Sequence, residues 1–167
     1  HGRRLLSDDL GSLRHAVHNP LSQFAETLRH VKLEAAAGPA GTRDGKVIGF
    51  CSTRPGEGKS FVAANFAELV ADTGQSCILV DCDLRYPALT YMLSPEADSG
   101  LADIIKQRAS VDSAVWTDGS TGMAFLPAAS QRQVVHPHDL LASANVQGTI
   151  DELRKRYDVV VLDLPPI

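Results

Sequence analysis

Short, nearly uninterrupted apolar runs alternate along this chain with segments whose apolar residues recur every three or four positions. The runs at Gly49-Phe50-Cys51, Cys77-Ile78-Leu79-Val80 and Val159-Val160-Val161-Leu162 carry polar residues only at their ends. That pattern marks hydrophobic strands, the Cys77 run reading as a buried one, and Gly122 to Leu126 is a short fourth. Between them the spacing is helical. Pro20 opens a helix with Leu21, Phe24, Ala25, Leu28, Val31 and Ala35 on one face. Ser60 to Asp72 forms a second, ended by Gly74, and Leu101 to Lys106 begins a third. Val146, Ile150, Leu153 and Tyr157 form the buried stripe of a helix leading to the last strand. Residues 37–45, glycine-rich and carrying Pro39, read as a loop. The alternation predicts an α/β fold built on a mostly parallel, doubly wound sheet. The first 18 residues lack a sustained period and read as a leader or linker arm, which places the domain at 19–167.

The first strand runs into Thr53-Arg54-Pro55-Gly56-Glu57-Gly58-Lys59-Ser60 and then a helix. Glycines let successive N–H groups converge on phosphate oxygens, and the helix adds its positive N-terminal dipole. In such a loop Lys59 reaches the terminal phosphates and the Ser60 hydroxyl ligates Mg²⁺. The pattern is that of a triphosphate cradle of the strand-loop-helix P-loop kind, for ATP or GTP. Thr53 stands where the common pattern has glycine.

Two later strands deliver acids to the same end of the sheet. Asp81 and Asp83 follow Leu79-Val80, spaced so that strand alternation points both the same way, and Asp163 follows Val161-Leu162. Carboxylates at the C-terminal ends of parallel strands border the ligand crevice, where they hold Mg²⁺ or accept a proton. Cys82, between the two acids, is expected to face away from them.

The order Arg54-Pro-Gly-Glu-Gly-Lys-Ser60, Leu79-Val-Asp-Cys-Asp-Leu-Arg-Tyr-Pro87 and Tyr157-Asp-Val-Val-Val-Leu-Asp-Leu-Pro-Pro166 resembles the cytoplasmic domain of bacterial tyrosine kinases. These kinases accompany exopolysaccharide chain-length regulators, and the domain lies within the wider ParA/MinD-like group of deviant Walker ATPases. Gly100-Leu-Ala-Asp103 and Pro137-His-Asp-Leu-Leu141 add smaller echoes. The resemblance implies ATP and Mg²⁺ as ligands, with Arg54, Pro55, Gly56, Glu57, Gly58, Lys59, Ser60 and Phe61 forming the nucleotide loop. It implies Lys59, Asp81 and Asp83 as catalytic residues and Ser60, Asp81, Asp83 and Asp163 as the metal set. Asp81 would orient or deprotonate the attacking hydroxyl. Arg54 occupies the place of the signature lysine of the ParA/MinD relatives; it either reaches a neighbouring subunit's nucleotide or is a solvated loop arginine.

The resemblance also implies self-association and a membrane polysaccharide co-polymerase, fused or separate, as partner at the inner face of the cell membrane. The family's ring-forming Glu-x-x-Arg-x-x-Arg maps onto Gln23, Glu26 and Arg29. Only the last charge is kept, and reversing the middle one would turn an attraction into a repulsion, which weighs against the ring. The polar face of an amphipathic helix is the other reading of these positions. Tyr86, Tyr91 and Tyr157 are scattered and are expected to pack; the acceptor tyrosine is expected in a tail beyond Ile167. Two further function classes stay open: an ATP-dependent assembly switch without kinase activity, and a ParA/MinD-like positioning ATPase.

Composition narrows the rest. With 167 residues, 44% hydrophobic, the chain can bury one substantial core. A net charge of −4 argues against a general nucleic-acid binder. Cys51, Cys77 and Cys82 have no metal-ligand spacing and read as small buried fillers in a reducing compartment. The chain begins without methionine and stops at a core strand, where a doubly wound fold would continue. A fragment truncated at its C-terminus is expected.

Overall fold

The computed structural model describes residues 4–6, 11–36, 44–129 and 137–167. Five strands form one sheet in the order β1-β5-β2-β4-β3: β1 (Lys46–Phe50), β2 (Cys77–Asp81), β3 (Trp116–Thr117), β4 (Ala124–Leu126) and β5 (Val159–Asp163). All pairings are parallel except β3 with β4. The predicted α/β class and mostly parallel sheet are therefore observed. Strand β5 lies between β1 and β2 in a register that sets Phe50, Asp163 and Asp81 level. The P-loop, the end of β5 and the end of β2 thus meet at one edge.

Strand alternation divides the core into two layers. Leu79, Phe125 and Val161 face helix α3 (Lys59–Asp72), whose residues 63–71 are all buried. Ile78, Val80, Leu126 and Val160 face α5 (Leu101–Ile105), α6 (Val111–Ala114) and α8 (Ala144–Arg156). The remaining helices are α1 (His15–His18), α2 (Gln23–Ala36), α4 (Ala88–Leu93) and α7 (Pro137–Leu141). Gly100, before α5, cannot carry a side chain: a Cβ there would lie 2.5 Å from the Pro127 carbonyl. That closeness lets Leu101 N–H and Ala102 N–H donate to the carbonyls of Pro127 and Ala128, tying α5 to the chain leaving β4.

The segment read as a leader arm is packed where it is described. Leu5 bridges Thr117 at the sheet edge, and a 3₁₀ turn (Gly11–Arg14) leads into α1. Leu6, Leu13 and Ala16 are buried, each leucine contributing on the order of 2 kcal/mol of apolar burial. Asn65 on α3 fastens the segment by accepting from Ala16 N–H at 2.8 Å and donating to the Ser12 carbonyl. Arg14 reaches the buried carboxylates of Asp118 and Glu68. Three apolar residues at irregular spacing carry no periodic signal, which is why the sequence reads as an arm.

Other boundaries shift slightly. Helix α2 begins at Gln23, after a turn that leaves Leu21 91% exposed, while Ala25 and Leu28 are buried. The third predicted helix ends at Ile105, and the short strand is confined to Ala124–Leu126. Of the loop read over 37–45, residues 37–43 lie outside the described residues. Cys77 and Cys82 are buried, and burial pushes both thiols up; Cys51 is exposed, contrary to expectation, because it already belongs to the loop.

Candidate functional site

Strand β1 ends at Phe50, and the chain turns through Ser52 to Gly58 into α3. Gly56 and Gly58 take φ of +84° and +87°, a conformation that side-chain-bearing residues rarely adopt. No atom lies within 4 Å of a Cβ built on either glycine, so the loop opens onto free space. Gly58 is the cap of α3, and the first N–H groups of that helix have no intrahelical acceptor. These N–H groups are left for an acceptor from outside the helix.

Lys59 and Ser60 point from the first turn of α3 to the acids. The Lys59 ammonium lies 3.3 Å from Asp163 Oδ1, 3.4 Å from Asp83 Oδ2 and 3.2 Å from Ser60 Oγ. Ser60 Oγ donates to Asp163 Oδ2 at 2.6 Å. Asp83 and Asp163 are buried. Burial raises the Asp163 carboxyl above its ordinary range, against the lowering effect of Ser60 and Lys59.

Asp81 lies deeper and faces another way. Its Oδ1 accepts from Asp83 N–H at 3.1 Å, and its Oδ2 accepts from the N–H and hydroxyl of Thr90, at 2.9 and 2.8 Å. Thr90 Oγ1 in turn accepts from Ala128 N–H at 2.8 Å. Burial pushes the Asp81 carboxyl up to about 7, with the three hydrogen bonds pulling the other way. The two acids of this strand end therefore do not share one direction. Strand β2 stops at Asp81, so alternation no longer governs Asp83, which joins Lys59 and also accepts from Tyr86 N–H. Thr90, nine residues downstream, had no motif to announce it.

The rest of the predicted loop set divides. Pro55 lines a cavity of about 250 Å³ with Thr53, Asp83, Tyr86, Pro165 and Pro166. Arg54 is exposed. The Glu57 carboxylate folds back along the loop onto Thr53 and Arg54. Phe61 turns into the helical layer, its ring 5.4 Å from that of Phe24. Tyr86 and Tyr91 are 65% and 63% exposed and do not pack as expected; Arg85 lies over the Tyr86 ring instead. Gln23 and Glu26 are exposed on α2, whereas Arg29 folds onto the Pro20 carbonyl.

Among the described residues no group of three or more His, Cys, Asp or Glu side chains forms a metal cage. The Ser60 hydroxyl with Asp83 and Asp163 is the donor set that suits Mg²⁺, which takes one or two carboxylates and completes its shell with phosphate oxygens and water. No helix of the described residues is long and apolar enough to cross a membrane.

The AAA domain family matches residues 45–167. The succinoglycan biosynthesis transport protein ExoP of Rhizobium meliloti (strain 1021) is 40% identical over 152 residues, which is 90% of this chain and 19% of that protein. The chain thus spans about a fifth of that relative's length. The solved BceF tyrosine kinase domain superimposes with a TM-score of 0.67 at 29% identity, over 84% of this chain and 52% of that one. Cobyrinic acid a,c-diamide synthase from Mycobacterium smegmatis, solved with ADP and magnesium, shares the fold with a TM-score of 0.61 at 22% identity, over 72% of this chain and 51% of that one. With its P-loop, its strand-end acids and these relatives together, the chain belongs to the AAA domain family of P-loop proteins, on the branch of the bacterial tyrosine-kinase domains of exopolysaccharide systems.

Proposed function

We propose that this chain is the ATP-binding core of a protein-tyrosine kinase that regulates exopolysaccharide polymerisation and export. The observation that carries the reading is the Lys59 ammonium held between Asp83 and Asp163 with Ser60 bonded to Asp163. A lysine and hydroxyl already gathered on strand-end carboxylates, at the mouth of an open donor loop, are the parts phosphoryl transfer needs. The names of relatives at 29–40% identity point to the same chemistry and setting.

In this reading the N–H groups from Gly56 to Ser60 bind the phosphate oxygens, and Lys59 neutralises charge on the transferring phosphoryl group. Ser60, Asp83 and Asp163 would hold Mg²⁺, which would supply positive charge to offset that of the phosphates. A tyrosyl oxygen attacks the γ-phosphorus as the bond to the ADP oxygen breaks, and the hydroxyl proton passes to a carboxylate. Asp81 is assigned to orient that hydroxyl or take its proton, which requires the carboxylate to become accessible, since it is wholly buried and already accepts three hydrogen bonds. Arg54 is available to a neighbouring molecule by its exposure.

The partners in this reading are further copies of the chain and a membrane polysaccharide co-polymerase at the inner face of the cell membrane. The exposed Gln23 and Glu26 argue against a ring made through this face of α2. The occupied state of Asp81 favours one second reading, an ATP-dependent assembly switch that binds nucleotide without phosphorylating tyrosine. Phosphotyrosine formation in the natural full-length protein, abolished by Lys59→Met, tests the first reading; phosphate release without phosphotyrosine would favour the second.

A further inference from the structure

Pro55 has no N–H, so it splits the loop's backbone donors into two sets. Gly56 to Ser60 follow it and form the open cradle. Thr53 and Arg54 precede it, and both of their N–H groups donate to a single carboxylate oxygen, Glu57 Oε2, at 3.0 and 3.1 Å. Thr53 Oγ1 adds contacts of 3.3 and 3.2 Å to the two Glu57 oxygens. The Ser52 hydroxyl donates to the Arg54 carbonyl at 3.0 Å, closing the same turn from the other side. Thr53 is the position at which the loop departs from the common glycine, and Glu57 lies four residues on, between the two positive-φ glycines. Thr53 and Glu57 thus form a matched pair.

We propose that Glu57 is a positioning residue: its carboxylate latches the N-terminal half of the phosphate loop through the Thr53 and Arg54 amides, so that the amides after Pro55 are pre-set for phosphate before nucleotide arrives. The inference rests on the nucleotide-binding reading of the loop. A negative charge beside a triphosphate would by Coulomb repulsion alone weaken binding. The latch works against that repulsion by removing the ordering cost of a loop with two glycines. The two effects predict opposite signs when Glu57 is truncated, which makes the proposal decidable. Because the Glu57 side chain packs in no core cluster, its removal leaves the fold intact.

The test uses the natural full-length protein and its Glu57→Ala and Glu57→Gln variants, with unchanged thermal unfolding as the check on folding. Amide hydrogen exchange without nucleotide is read first. Thr53 and Arg54 should be protected in the native protein and in Glu57→Gln, whose carbonyl still accepts, and unprotected in Glu57→Ala. Unprotected amides in the native protein would overturn the latch whatever the protein binds. MgADP titration is read second: Glu57→Ala should bind about 5–20-fold more weakly, with Glu57→Gln within about 3-fold of native. With ATP as substrate Glu57→Ala should raise KM by about the same factor, and Glu57→Gln should hold it within about 3-fold of native. Equal or tighter MgADP binding by both variants would assign Glu57 to repulsion alone and sink the proposal. Failure of the native protein itself to bind MgADP would defeat the nucleotide reading, while the exchange result would still decide the latch.

Discussion

Replacing Thr90 by valine removes one hydroxyl and changes almost nothing in shape, yet that hydroxyl joins three elements. It donates to Asp81 Oδ2 at the end of β2 and accepts from Ala128 N–H beyond β4, while Thr90 itself lies in α4 and is 6% exposed. A hydrogen bond to a carboxylate contributes about 1.5–3 kcal/mol, and stranding a buried N–H costs about 1–3 kcal/mol. The two losses share one atom and are not fully additive, so about 3 kcal/mol is expected. With a urea slope near 2 kcal/mol per molar, the unfolding midpoint should fall by about 1.5 M. Thr90→Ser keeps the hydroxyl and loses a methyl, and should cost about 1 kcal/mol. Urea titration of native, Val and Ser forms, followed by circular dichroism, measures both. A Val midpoint within about 0.3 M of native would refute the view that Asp81 is held by Thr90.

Leu13→Ala should lower stability by about 2–4 kcal/mol in the same titration, because Leu13 is 4% exposed and packs in the α3 layer; a solvated arm would lose nothing. Gly100→Ala should cost about 2 kcal/mol or more, since its Cβ would meet backbone rather than a yielding side chain, and thermal unfolding measures it. Stability without nucleotide should fall between pH 6 and pH 8. Asp81 titrates at about 7 when folded and at 3.8 in its reference state, so the folded form holds the extra proton. Its contribution is complete below the lower value and lost as pH rises through the higher, with a slope of at most about 1.4 kcal/mol per pH unit. Urea midpoints that rise over this interval would contradict the assignment.

The buried strands were legible because a parallel sheet covered on both faces demands continuous apolar runs, as in residues 77–80 and 159–162. The P-loop was legible because glycine spacing and the Lys-Ser pair encode a backbone shape directly. What escaped depends on contacts between distant segments. Leu13 and Ala16 find their partners on α3 some fifty residues away, and Leu6 finds Thr117 across the sheet edge. The direction of Asp81 is decided by Thr90, in a helix that no periodic pattern marks. Tyr86 and Tyr91 were expected to pack because they flank motifs, but adjacency in sequence says little about which way a side chain leaves a turn. The Glu57 contact lies within the motif itself and could have been suspected from Thr53 standing four residues before a carboxylate.

The most direct measurement of the central claim is transfer of labelled γ-phosphate from MgATP to tyrosine in the natural full-length protein, with Lys59→Met beside it and released inorganic phosphate followed in parallel. Phosphotyrosine is expected in the native protein, and its loss, with folding retained, in the variant. Nucleotide binding or phosphate release without phosphotyrosine, or phosphotyrosine that persists without Lys59, would contradict that claim.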